Sequence, residues 1–78
     1  MYKEIIEIAL IHHEYNTVAF CMVGLAAEYL EGDMERSKDQ FNKYFHIVPV
    51  EVLRLMIADN TFECISKMCQ QRIDHLLK

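Results

Sequence analysis

The stretch Val18–Ala27, VAFCMVGLAA, runs for ten residues without a charge or a strongly polar group, inside a chain of only 78 residues. It is too short to cross a hydrocarbon core, which takes about 20 apolar residues as a helix, so it reads as a helix buried in protein. Being apolar all round, such a helix needs neighbours on every side, and a chain of this length has few other elements to supply them. Either the domain wraps this helix completely or a second molecule covers what is left.

The rest of the chain sets the frame for that helix. Hydrophobic residues make up 53% of the sequence, above the roughly 45–50% usual for globular domains, so the chain is rich in core rather than disordered. Only two Gly and one Pro interrupt it. Few breakers, many helix formers and no Asn-Gly or Asp-Gly hairpin dipeptide predict an all-α fold. The expected architecture is a single domain over residues 1–78, a compact bundle of four to five short helices around a central apolar helix at about 17–31.

Working outward, the first helix is expected from about Tyr2 to His13, with Ile5, Ile6, Ala9 and His12 on one face and Lys3, Glu4, Glu7 and Glu14 toward water. Asn16 or Thr17 is the expected N-cap of the apolar helix, which ends at Glu31 with Gly32 in the C′ position. Gly24 in its middle costs about 1 kcal/mol relative to Ala, a cost that makes sense where another helix packs closely. Asp33 can cap a third helix, about Met34 to Phe45, with Met34, Phe41 and Phe45 as its buried stripe and Glu35–Lys38 and Asp39–Lys43 as exposed pairs. Pro49 opens a fourth helix to about Ala58, since it restricts Val48 to extended backbone and is preorganised for a first turn. The β-branched run His46–Val52 offers a strand as the alternative. Asn60-Thr61-Phe62-Glu63, close to a capping box, starts a fifth helix at Thr61 that runs to about Leu77.

Formal net charge is −4, and residues 1–32 carry it all, with five Glu against Lys3 alone. An acidic surface without grouped Lys and Arg argues against binding nucleic acid through its phosphates. Glu4 and Glu7 precede any completed apolar stretch, unlike a secretory leader, so the expected location is cytoplasmic, with no membrane association. Three cysteines without a Cys-x-x-Cys pair make no disulfide framework. On one helix Cys64 and Cys69 stand about 140° apart around the axis and about 7.5 Å along it, too far for a bridge. All three are expected to be small buried hydrophobes.

Residues that could carry chemistry are present but poorly spaced. His12 and His13 diverge by about 100° on a helix and cannot share one ion. Ser37 and Ser66 have no oriented base beside them, and Cys64 and His75 share a face about 16 Å apart along one helix. With Gly24 and Gly32 as the only glycines there is no phosphate-cradling loop. No catalytic residue, metal or cofactor is expected.

The segment Phe41–Leu55, FNKYFHIVPVEVLRL, resembles the helix-turn-helix of bacterial and phage regulators. Phe41 and Phe45 lie on its first helix, Ile47 in the turn, Val52 and Leu55 on the second. That resemblance implies a DNA-binding regulator using residues 41–57, with the second helix reading bases. The outward face of that helix would present Val50, Leu53, Arg54 and Ile57, where base-reading Arg, Asn or Gln are needed.

The expected function is therefore association, with a second copy as a homodimer or with a larger protein that it regulates or inhibits, as phage-encoded host-takeover factors do. Val50, Leu53 and Ile57 would fill a hydrophobic cleft, with Arg54 and the acidic N-terminal half setting orientation and encounter rate. Met22, Met34, Met56 and Met68, together with Leu76 and Leu77, are further candidates for adaptable apolar surface.

Overall fold

The computed structural model describes residues 2–32 and 34–78. Among these residues five helices follow one another, α1 (Tyr2–Ile11), α2 (Tyr15–Leu30), α3 (Glu35–Phe45), α4 (Val50–Asp59) and α5 (Glu63–Leu76), and none is in a strand. The helical reading of His46–Val52 prevails because Pro49, in extended backbone at φ −74° and ψ 166°, starts α4 directly, its carbonyl taking the Val52 N–H at 3.0 Å. Val48 is buried in the core just before it.

The helix ends depart from expectation by local chemistry. His13 adopts a left-handed φ of 57°, so α1 stops at Ile11 and the Glu14 N–H returns to the Ala9 carbonyl at 2.9 Å. Asn16 and Thr17 consequently lie inside the first turn of α2, and Glu14 stands at the N-cap without a side-chain bond. Gly32 does follow the end of α2, but its φ is not left-handed. What it supplies is room, since a Cβ there would sit 2.8 Å from the Glu28 carbonyl oxygen, which also accepts the N–H groups of Gly32 and Met34. Asp33, the expected cap of α3, lies outside the described residues. Met34 precedes α3 in extended backbone and is 48% exposed, so it leaves the expected buried stripe, which Phe41, Tyr44, Phe45 and Ser37 form instead. Lys38 and Lys43 do not close on Glu35 and Asp39 but lie over the rings of Tyr29 and Tyr44. Before α5 the capping box does not form. Asn60 turns left-handed at φ 48° to close α4, and its side-chain oxygen accepts the Ser66 hydroxyl at 2.9 Å.

Packing is organised around α2, which meets α1, α3 and α4, while α5 packs on α4. Ile6 and Ala9 of α1, Val18, Met22, Leu25 and Ala26 of α2, Phe41 and Tyr44 of α3, Val52, Leu53 and Met56 of α4, and Ile65, Cys69 and Ile73 of α5 form one hydrophobic cluster. Polar ties join its edges. Ser37 Oγ donates to Glu28 Oε1 at 2.6 Å between α3 and α2, Tyr44 Oη donates to Glu7 Oε2 at 3.2 Å, and Arg72 Nη2 donates to the His46 carbonyl at 3.0 Å. No helix among the described residues is long and apolar enough to cross a membrane.

Candidate interaction surface

The bundle wraps α2 on most sides and leaves one open. Val18, Ala19, Cys21, Met22, Leu25 and Ala26 are buried; Asn16, Phe20, Val23, Ala27 and Glu31, spaced three and four apart as neighbours on one helix face must be, are half-buried or exposed. Phe20, the bulkiest side chain of this run, is 76% exposed. The stripe floors a groove of about 460 Å³. Tyr2 forms one wall; Leu55 and Asp59 of α4 with Thr61 and Phe62 of the following link form the other.

Each wall depends on a specific sequence feature. A Cβ at Gly24 would stand 2.7 Å from both Cζ and Oη of Tyr2, so the absence of a side chain there lets that ring lie against α2. This is the close approach expected at Gly24, made by an aromatic ring of α1. On the far side Asp59 accepts the Thr61 hydroxyl, holding the link beside the groove. The charged residues of the lining are Glu31 and Asp59, so an apolar floor carries an acidic rim.

The residues singled out on α4 fare differently. Leu53 is fully buried: α4 packs against both α2 and α5, which turns Leu53 into the core, so it is not available to a partner. Val50 and Ile57 are partly buried against the core cluster, and Arg54 alone of the four is exposed. Arg54 borders a shallow depression with Ile57, Gln70 and Ile73. The candidate contact face thus moves from α4 to α2, where the available signal was a large aromatic, Phe20, sharing a helix side with the small Ala27 inside an otherwise uniform apolar run.

The other candidates disperse. Cys21 and Cys69 are buried but Cys64 is exposed, correcting its assignment to the core. Burial pushes the Cys21 thiol up and holds the Cys69 thiol at about 11, so neither is a ready nucleophile. Met22 and Met56 belong to the core; Leu76 and Leu77 are exposed at 41% and 62%. His13 pairs with the Tyr15 hydroxyl at 2.9 Å and His46 with the Asn42 carbonyl at 2.7 Å. Among the described residues no group of three or more His, Cys, Asp or Glu side chains could hold a metal ion. In the segment resembling a helix-turn-helix, α3 packs chiefly on α2 while α4 packs on α2 and α5, and the exposed charges of α4 are Glu51, Arg54 and Asp59. A phosphate backbone would meet more negative charge than positive there.

The geometry therefore defines an all-α protein whose most distinctive surface is an apolar groove along its central helix. Comparison with protein-family models, with curated proteins and with solved structures finds no match to this chain.

Proposed function

We propose that this protein is a non-enzymatic association module that works by seating an apolar protein element along the α2 groove. One observation carries the reading: the least polar segment of the chain is left with an open stripe, Phe20 being 76% exposed over a groove of about 460 Å³. Isolated exposed apolar side chains are ordinary on soluble proteins, whereas a concave, contiguous apolar surface with a polar rim marks a contact site. Ile8 and Ile11 on α1, which are also exposed, line none of the grooves described. The mechanism is occupation, by which a partner's surface is masked or two chains are held together. Aromatic anchors such as Phe20 carry a large share of binding energy at centres of this kind, and the acidic rim adds orientation.

A photoreactive benzoylphenylalanine placed at position 20 tests this directly. The reading expects protein adducts on irradiation at position 20, and none when the same group replaces exposed Lys67 on α5. Adducts absent at position 20, or equally abundant at both positions, would overturn it.

A further inference from the structure

We infer that the element seated in the α2 groove is a basic amphipathic helix of a different protein, its apolar side chains on the floor and its Lys or Arg residues on the rim at Glu31 and Asp59. The inference rests on the proposed association role of the groove and names its occupant by chemistry. The lining comes from helices and from the short link after α4. Helix backbones spend their hydrogen bonds internally, so neither floor nor wall offers an edge to which an extended chain could add as a strand. An occupant that gives up water along an apolar floor must satisfy its own backbone groups, and a helix does so. Walls on both sides exclude a flat face and admit one convex ridge of side chains. With the Tyr2 ring over Gly24, that ridge meets Phe20, Val23 and Ala27. The floor runs from Asn16 to Glu31, roughly 22 Å at 1.5 Å per residue, or about four turns of such a helix.

Charge selects the kind of helix. The lining holds two carboxylates, Glu31 and Asp59, and no Lys, Arg or His. Both are exposed, and among the described residues neither closes an ion pair. Glu31 is the C-cap of α2 and Asp59 the last residue of α4. The carbonyl end of a helix carries partial negative charge, which a nearby cation ordinarily balances, yet neither α2 nor α4 has a basic residue in its last turn. Two helix ends, each bearing a carboxylate of the disfavoured sign, therefore open onto one groove. Lys or Arg side chains brought by a partner supply the missing cations beside both. The same carboxylates oppose an acidic helix, an anionic lipid surface and a second copy of this chain, whose rim carries the same charges.

Two synthetic peptides of about 16 residues, the span of the floor, test the inference. They share one stripe of Leu and Phe at helical spacing and carry at their polar positions either Lys throughout or Glu throughout. Binding to the full chain is read by fluorescence anisotropy at physiological salt, and its place by amide NMR. The lysine peptide is expected to bind at least about tenfold tighter than the glutamate peptide, with shifts on Phe20, Val23 and Ala27. Glu31→Gln with Asp59→Asn keeps the shape of the rim and should erase most of that difference. Glu35→Gln with Asp74→Asn, which removes the same charge from exposed sites outside the groove, should preserve it. Equal losses in the two double variants would overturn the rim as the selector, since net charge alone would then draw the peptide. Equal affinity for both peptides, with shifts in the groove, overturns the basic partner and leaves the groove standing. Failure of either peptide to bind at millimolar concentration, or photoadducts at position 20 that join two copies of this chain, overturns the basic helix as occupant. Shifts on another face overturn the groove itself.

Discussion

The ring of Tyr2 lies against the backbone of Gly24, so close that a methyl group at Gly24 would come within 2.7 Å of the ring's Cζ and hydroxyl oxygen. A glycine in the middle of a helix costs about 1 kcal/mol relative to alanine, and here that cost is matched by a groove wall. The two glycines of the chain consequently respond in opposite ways to the same substitution.

Gly24→Ala meets the far end of a half-buried side chain, which can swing aside. The helix gains propensity, and the melting temperature is expected to hold or rise by a few degrees while Tyr2 is displaced from the groove. Gly32→Ala instead meets the Glu28 carbonyl at 2.8 Å, part of the backbone that closes α2, and should destabilise by about 1–2 kcal/mol. Thermal melts of the two variants, with the Tyr2 ring followed by NMR, check the contrast. A Gly24→Ala variant that melts as low as Gly32→Ala would show that Tyr2 is rigidly held.

Ser37 is a buried polar side chain, and its hydroxyl donates to Glu28 at 2.6 Å. Glu28 therefore ties α2 to α3 through its carboxylate while its carbonyl closes the turn. Ser37→Ala leaves a half-buried carboxylate short of a donor, at about 1–2 kcal/mol, or roughly 4–16 °C in melting temperature for a domain of this size. Denaturant midpoints report it, and an unchanged midpoint would mean that water replaces the hydroxyl without loss.

How far these features were legible in the sequence depends on whether they are set locally or by packing. The helices over α2, α3 and α5 follow from composition and periodicity, and Pro49 announces the start of α4. The ends shifted where unexpected residues took left-handed backbone, His13 and Asn60, because that choice is made by the turn as a whole rather than by one residue's preference. The site was harder to read. Val18–Ala27 showed that α2 had more apolar surface than neighbours, but an all-apolar run carries no marker of which side stays open. Leu53 looked outward on a two-sided helix, and only the docking of α5 against α4 turned it inward.

Alkaline pH should erode stability through buried protons. Burial raises the Cys69 thiol from the ordinary value near 9 to about 11, and it raises Cys21 and, with the Glu7 carboxylate beside it, Tyr44 in the same direction. The folded state holds these protons more tightly than the unfolded one. Stability is thus fully present below about pH 9 and lost as pH rises through about 11, by roughly 2–3 kcal/mol for Cys69. Urea midpoints between pH 7 and 11 should fall along this limb, and Cys69→Ala should flatten it. An equal slope in the variant would place the effect elsewhere.

Exposure separates the cysteines more simply. A thiol reagent applied to the native protein should modify Cys64 rapidly and leave Cys21 and Cys69 untouched until the chain is unfolded, in keeping with their burial. Mass spectrometry counts the adducts, and more than one adduct under native conditions would mean that the core opens readily.

The α2 groove as the contact surface is the central claim, and titration with the lysine peptide followed by amide NMR tests it most directly. Concentration-dependent shifts are predicted to gather on Asn16, Phe20, Val23, Ala27 and Glu31 and on the wall residues Tyr2 and Phe62, with α5 beyond Ile65 unmoved. Spectra that do not change on titration would leave a different protein element as the occupant, and shifts that gather on Ile8 and Ile11 of α1 instead would contradict the claim.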